Sequence, residues 1–272
     1  MSSTKKYAAA VQMISTDDVD TNLKQVEILV HAAAEKGAEF ILLPENFAFM
    51  GNGAPETLAV AERHNNGKIQ ETVAKLASDL QVTIAAGSVP IIDENDITRA
   101  KSSCLVYDKS GHEIACYDKK HLFDVYLSET QESYKESDSF SHGDKIVVIE
   151  TSIGKVGLSI CYDIRFPEMY REMHMQGVQI IIAPSAFTEP TGRVHWQPLL
   201  KSRAIENLCY VIAANQGGMH NNGRKTYGNS MIIDPWGQIV SRIDVGVGVI
   251  ISQIDLELQR QIRHEFPVLD HR

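Results

Sequence analysis

No stretch of this 272-residue chain is apolar for the about 18 residues that a membrane-spanning helix needs. Cysteine is scarce, with only four copies, Cys104, Cys116, Cys161 and Cys209. None form a Cys-x-x-Cys pair, which argues against a zinc ribbon or a thioredoxin-like redox site. The ten histidines form no His-Glu-x-x-His pair, and no Cys/His cluster has ligand spacing. A metal hydrolase is disfavoured, and neither a metal nor an organic cofactor is expected. A Gly-rich phosphate loop is absent, and so is the Gly-x-Ser-x-Gly elbow of serine hydrolases. Basic residues are the minority: 26 Lys and Arg against 35 Asp and Glu leave a formal charge of −9. Such a balance argues against nucleic acid as a partner. The start, Met1-Ser-Ser-Thr-Lys-Lys6, runs straight into Tyr7–Met13, which is too short for a secretory signal and lacks its cleavage site. A cytoplasmic protein with reduced thiols is the expectation.

What is present reads as one α/β domain over residues 1–272, since a hydrophobic content of 43% and a charged content of 22% are ordinary for a globular chain of this size. Strand and helix patterns alternate. After the strand Tyr7–Met13, apolar residues at helical spacing (Leu23, Val26, Leu29, Val30, Ala33) predict a helix over Thr21–Lys36 that stops at Gly37. Glu39–Leu43 reads as the next strand. Ile69, Val73, Leu76 and Leu80 form a helical stripe, followed by a strand at Val82–Ala86. Ser103–Tyr107 and His112–Tyr117 read as a hairpin around a Lys-Ser-Gly turn. A disulfide between Cys104 and Cys116 is compatible with that hairpin but not demanded by it. The polar stretch His121–Asp144 reads as a long loop. Beyond it come strands at Lys145–Thr151, Val156–Cys161 and Val178–Ala183, and helices at Glu168–Gln176 and Val194–Asn207. The end is richer in strands, at Cys209–Ala214, Ser230–Asp234, Ile239–Arg242 and Gly248–Ile254, with a last helix from Leu256 to His264. Early βα alternation with several hairpins points to a layered sandwich with two mixed sheets rather than a parallel barrel.

Three of these strand ends carry chemistry. Cys161 ends the apolar run Val156–Cys161 and precedes Tyr162-Asp163-Ile-Arg165-Phe-Pro167, where Pro167 is suited to open a helix. A thiol at the junction of strand and helix sits where open α/β sheets place ligands. The strand around Ile41 ends in Pro44-Glu45-Asn46, and the one around Ala115 ends in Asp118-Lys119-Lys120-His121. If the strands share a direction, an acid, an amine and a thiol line one rim. A base, a cation and a nucleophile are the set that covalent amide hydrolysis uses. A lysine at this position, Lys119 or Lys120, and the following helix terminus are expected to favour the thiolate. Arg165 suits either a bound carboxylate or an ion pair with Asp163 or Glu168. Spacing by itself does not choose between Lys119 and Lys120.

Leu43-Pro44-Glu45-Asn46, Tyr117-Asp-Lys119-Lys-His121-Leu-Phe123 and Cys161-Tyr162-Asp163-Ile-Arg165-Phe resemble the Glu, Lys and Cys motifs of the nitrilase (carbon–nitrogen hydrolase) superfamily. The likeness continues through Pro184–Thr188, Thr191-Gly-x-x-His195-Trp196, Arg203–Asn207 and Tyr227–Gly237, and so covers nearly the whole chain. It implies an αββα sandwich, paired as a homodimer into αββααββα. It also implies Glu45, Lys119 and Cys161 as catalytic residues, with Glu136 as a second acid that positions substrate. The superfamily pattern Tyr-x-Lys-x-His selects Lys119 over Lys120. Within the superfamily the chain looks most like the small ω-amide hydrolases. Phe187-Thr188-x-x-Thr191-Gly and the end Phe266–Arg272 resemble the deaminated glutathione amidases, with the ω-amidases that act on α-ketoglutaramate as near competitors. True nitrilases and N-carbamoyl amino acid hydrolases share the triad. In the first group Arg165, the Phe187 main chain and Thr191 would hold a keto acid. The Lys119 ammonium and the Tyr162 backbone N–H are the candidate donors to the oxyanion. The chain departs from the common pattern at His142, where Pro is usual, and at Asn229, where His is usual.

Overall fold

The structure is a computed structural model that describes residues 5–128 and 131–271. Residues 1–4, on which the reading of the leader partly rests, lie outside the described residues. So do Glu129 and Thr130 of the polar stretch, and Arg272 at the end of the terminal motif.

The chain begins with β1 (Lys6–Gln12) and α1 (Val19–Glu35). Asp18 caps α1 by accepting the Thr21 N–H at 2.7 Å. Leu23, Val26, Leu29, Val30 and Ala33 all fall on its buried face. After β2 (Phe40–Leu42) come α2 (Ala54–Val60), α3 (Lys68–Leu80), β3 (Thr83–Ile92), β4 (Ala100–Tyr107) and β5 (Glu113–Asp118). The polar stretch is not a bare loop. It folds into the hairpin β6 (Asp124–Leu127) and β7 (Glu132–Lys135), a 3-10 turn at Glu136–Asp138 and the short β8 (Phe140–Ser141). Both hairpin strands alternate exposed with half-buried residues, so neither carries the apolar face by which strands are read from sequence. Helix α2, absent from the sequence reading, has Pro55 in its first turn and buries only Thr57.

The second half holds β9 (Val148–Thr151), β10 (Gly154–Leu158), α4 (Pro167–Met175) and β11 (Ile180–Ile182). A short turn α5 (Glu189–Thr191) passes through a π turn at Gly192–Trp196 into α6 (Gln197–Asn207). Strands β12 (Tyr210–Ala213), β13 (Met231–Ile233), β14 (Ile239–Arg242) and β15 (Gly248–Ile254) precede α7 (Leu256–Glu265).

The strands form two mixed sheets. One has the order β15-β1-β2-β3-β4-β5, with β8 beside β4; the other runs β14-β13-β12-β11-β10-β9. Successive residues of a strand point to opposite faces, and β1 divides accordingly. Ala8 and Ala10 join a core with Phe40, Leu42, Leu158 and Ile212 between the sheets. Ala9 and Val11 join a second core with Ile41 and Ile84 beneath α1 and α3. Helices α4 and α6 cover the other sheet through Met169, Tyr170, Leu200 and Ala204. The fold is therefore the αββα sandwich that the sequence resemblance implies. The same alternation separates two thiols. Cys104 stands opposite Tyr117 and Cys116 opposite Leu105, which puts them on opposite faces of the sheet, and all four cysteines are free.

Gly87 lets β3 pass close under the residue before Glu45. A Cβ there would lie 2.0 Å from the Pro44 carbonyl oxygen, which is backbone and cannot swing away. Gly87→Ala is expected to cost about 1–3 kcal/mol of stability and to lower kcat more than it raises KM, by displacing Glu45. Thermal melting and steady-state kinetics check both.

Candidate active site

Strands β1, β2 and β3 are parallel, and two antiparallel steps bring β5 into the same direction. In the other sheet β10, β11 and β12 are parallel. A parallel bridge between Met13 and Gln216 and a 3.0 Å hydrogen bond from Gln216 Nε2 to the Glu45 carbonyl tie the carboxyl ends of the two sheets together. Glu45, Lys119 and Cys161 thus share one rim, as their positions past strand ends anticipated.

The Lys119 ammonium donates to Glu45 Oε1 at 2.7 Å and to Glu136 Oε1 and Oε2 at 2.8 and 2.9 Å. Lys119 is 1% exposed and Glu45 4%. The other Glu45 oxygen accepts the Ala186 N–H at 2.7 Å, and Glu136 also accepts the Phe123 N–H at 2.6 Å. The Cys161 thiol lies against the Glu45 carboxylate and the Ala186 N–H. The lysine next in sequence, Lys120, instead gives its N–H to the Tyr117 hydroxyl at 3.2 Å.

Burial pushes the Glu45 carboxyl up, but the Lys119 charge and the hydrogen bonds from Lys119 and Cys161 overcome it and hold Glu45 below its ordinary range. Burial and the charge of Glu45 raise the Glu136 carboxyl against the pull of Lys119. Burial lowers Lys119, but its two carboxylate partners prevail and hold it well above its ordinary value. Burial and the adjoining Glu45 carboxylate raise the Cys161 thiol, outweighing Lys119. This runs against the expectation that Lys119 favours the thiolate: burial and the Glu45 carboxylate weigh toward the thiol, beside a carboxylate placed to take its proton. A second correction bears on the same point. Strand β10 ends at Leu158, and a 3-10 turn at Cys161–Arg165 separates the thiol from α4. The α4 dipole acts only near its own first turn, and α4 begins at Pro167.

Cys161 occupies the left-handed region at φ +48°, and its N–H donates to the Pro184 carbonyl at 2.9 Å. A non-glycine residue there is strained by about 1 kcal/mol or more, so neighbouring contacts must hold it. Asp163, fully buried, supplies them. Its carboxylate accepts from the Ile160 N–H at 2.9 Å, the Tyr117 hydroxyl at 2.7 Å, and the His121 N–H and Nδ1 at 3.0 and 2.7 Å. Asp163 is a positioning residue that the sequence reading offered only as an ion-pair partner for Arg165.

These groups open onto a cavity of about 630 Å³. Of the residues expected to bind substrate, Glu136, Tyr162, Arg165, Phe187 and Thr191 all line it. Arg165 pairs with neither Asp163 nor Glu168; its Nη1 meets His195 Nδ1 at 3.2 Å and its guanidinium lies over the Tyr162 and Phe187 rings. Both main-chain groups of Phe187 are engaged, its N–H with Asn215 Oδ1 at 3.0 Å and its carbonyl with the Tyr227 N–H at 2.9 Å, so the expected use of the Phe187 main chain in substrate binding is not supported. Thr191 Oγ1 lies 2.8 Å from Thr188 Oγ1. Arg224 also lines the cavity and was missed, because a lone arginine after Asn-Asn-Gly carries no motif. The departure at Asn229 has a local cause: φ is +58°, a conformation Asn tolerates, and its carbonyl accepts the buried Trp196 Nε1–H at 2.7 Å. His142 Nδ1 lies 3.0 Å from the Gly143 carbonyl. Among the described residues no group of three or more His, Cys, Asp or Glu could hold a metal ion, and no helix is long and apolar enough to cross a membrane.

Residues 7–264 match the carbon–nitrogen hydrolase family, and the chain belongs to it. It is a cysteine-dependent hydrolase of the nitrilase superfamily, acting on non-peptide carbon–nitrogen bonds. A Synechocystis protein named deaminated glutathione amidase is 42% identical over 268 residues, covering 97% of each chain. A Yersinia enterocolitica protein of the same name is 36% identical over 263 residues, covering 97% of this chain and 91% of that one. Among solved structures, the C. elegans NitFhit protein superposes with a TM-score of 0.93 at 36% identity, covering 100% of this chain but 66% of that one, so the likeness is to part of that protein. An amidase from Nesterenkonia sp. superposes with a TM-score of 0.79 at 25% identity over 96% of this chain and 94% of that one.

Proposed function

We propose that the chain works as a single domain, residues 1–272, which hydrolyses a small ω-amide of a keto acid, deaminated glutathione foremost, by way of a thioester. The observation that carries this reading is that one carboxylate, Glu45, accepts from the Lys119 ammonium at 2.7 Å and also meets the Cys161 thiol, inside a substrate-sized cavity. The names of the Synechocystis and Yersinia relatives support the substrate.

Glu45 accepts the thiol proton as Cys161 Sγ attacks the amide carbonyl. The oxyanion meets the Lys119 ammonium and the Tyr162 N–H, each such donor typically contributing about 3 kcal/mol. Glu45 then passes its proton to the departing amine and the C–N bond breaks, leaving an acyl thioester on Cys161. Water, deprotonated by Glu45, attacks the thioester, and the carboxylic acid leaves as the thiol is restored. Glu136 holds Lys119 from the other side and fixes the Phe123 turn. Arg165 and Thr191 bind the keto-acid end, without the Phe187 main chain, whose N–H and carbonyl are already engaged. A homodimer in the cytoplasm fits this reading. Trp236, Phe266 and Ile205, each about half exposed, form a contiguous apolar surface suited to a second copy of the chain.

The thiol and carboxylate starting state sets the pH profile. Activity falls on the acid side as Glu45 protonates, below its ordinary value of 4.5. No alkaline loss from Lys119 is expected below its ordinary value of 10.5. A plot of log kcat/KM should therefore be flat from about pH 5 to 9. A rise through a midpoint near pH 8.5, the value of a free thiol, would instead indicate a thiolate formed in bulk equilibrium.

The substrate is tested by incubating the protein with deaminated glutathione, α-ketoglutaramate, N-carbamoyl amino acids and aliphatic nitriles, with the Cys161→Ala protein as blank. α-Ketoglutarate released fastest from deaminated glutathione supports the proposal. Faster release from α-ketoglutaramate makes the protein an ω-amidase, and carbon dioxide or nitrile-derived ammonia as the main product rejects the ω-amide reading.

A further inference from the structure

The reaction above engages one guanidinium, that of Arg165, yet the cavity is lined by a second, Arg224. The two stand at the ends of an arc of aromatic rings. Arg165 lies 5.6 Å from the Tyr162 ring centroid, Tyr162 meets Phe123 at 5.1 Å, Phe123 meets Tyr134 at 5.2 Å, and Arg224 lies 5.3 Å from the Tyr134 centroid. Among the described residues the arginines in ion pairs are Arg99, Arg193, Arg203, Arg242 and Arg260. Neither cavity arginine is among them, and each keeps a buried Nε–H that no protein acceptor takes. Two guanidinium groups without carboxylate partners, in one cavity of an acidic protein, suit a ligand with two acids.

Their positions relative to Glu45 differ. Arg224 Nη2 donates to the Ala186 carbonyl at 2.6 Å, and the Ala186 N–H donates to Glu45 at 2.7 Å, so a single residue links Arg224 to the proposed general acid. The Arg224 charge also favours the ionised form of Glu45. Arg165 turns to His195 and to the Phe187 ring instead. Glu45 hands its proton to the departing amine, so the amine half of the substrate leaves on the Arg224 side and the acyl half lies toward Arg165. Resting on the reaction proposed above, we infer that Arg224 is a specificity-determining residue that binds a carboxylate on the amine half of the substrate. The site then selects amides with an acid on each side of the scissile bond over primary amides. Deaminated glutathione has such an acid on its terminal glycine, whereas α-ketoglutaramate releases only ammonia.

The experiment compares deaminated glutathione with its C-terminal carboxamide, which differs only in lacking the amine-side charge, by α-ketoglutarate release. In the wild-type protein the carboxamide is expected to show a KM about 10–100-fold higher, the range of a hydrogen-bonded charge pair. In Arg224→Gln the two substrates should converge, and in Arg224→Lys part of the preference should return. A purely structural role would lower kcat/KM for both substrates alike and leave their ratio unchanged. That result, or a wild-type protein indifferent to the carboxamide, overturns the inference while leaving the amidase reading intact. Failure of the wild-type protein to release α-ketoglutarate from either substrate overturns both.

Discussion

Cys161→Ala should lose turnover by roughly 10⁴-fold or more, the scale on which removal of a nucleophile acts when base and oxyanion donors remain. The folded state should survive. The substitution removes one sulfur at a site 8% exposed beside a cavity, so little packing is lost. Alanine inherits the strained backbone at φ +48°, whereas Cys161→Gly would relieve it. The glycine variant is therefore expected to melt no lower than the alanine variant, against the usual order of the two residues. Ammonia or α-ketoglutarate release measures the first effect and calorimetry the second. Mass spectrometry adds a direct reading of the sulfur: iodoacetamide should modify Cys161 first in the folded protein. Cys104 and Cys209 are fully buried and Cys116 does not line the cavity, whereas Cys161 opens onto it with the Glu45 carboxylate beside it to take the thiol proton. Turnover retained in Cys161→Ala, or first labelling at another cysteine, would sink the thioester mechanism.

Lys119→Met should be the most destabilising single change at the site. Among the described residues the ammonium is the only cation in an ion pair with both Glu45 and Glu136. Without it two carboxylates face one another under little solvent, and removal of a buried charge partner costs about 3–5 kcal/mol. In a chain of this length that is on the order of 10 °C in Tm. Glu45→Gln is the instructive contrast. It leaves Lys119 paired with Glu136, so its melting temperature should fall much less, while its activity falls by about 10³-fold or more for want of a base in both half-reactions. The sign of the pH effect separates the two further. In Lys119→Met the carboxyls lose the charge that held them down, so their folded values rise above the unfolded ones. Protonation then favours the folded state, and stability should increase as pH falls from 7 toward 5. In the wild type Glu45 lies below its ordinary value, so its contribution is present above pH 4.5 and is lost on further acidification. Equal melting curves for the two variants, or a Lys119→Met protein that weakens on mild acidification, would contradict this account of the cluster.

Much of this molecule was legible in its sequence because its main helices bury one face and its central strands bury both. The stripe Leu23–Ala33 and the runs before Glu45, Lys119 and Cys161 carry the periods that solvent exclusion imposes. Where that pressure is weak, legibility failed. The β6–β7 hairpin and α2 bury little, and their residues read as loop. The motifs marked the three reactive side chains but not what supports them. Asp163, Ala186, Asn215 and Gln216 act through backbone groups and contacts distant in sequence, and such roles leave no spacing to find.

The sequence by itself determined the sandwich and put an acid, an amine and a thiol past strand ends, because both follow from local hydrophobic period and chain order. Only the tertiary structure decided their ionisation. Whether Cys161 rests as thiol or thiolate depends on burial and on which charge stands nearest, and those are set by contacts between residues far apart in sequence, such as Lys119 and Glu45, 74 positions apart.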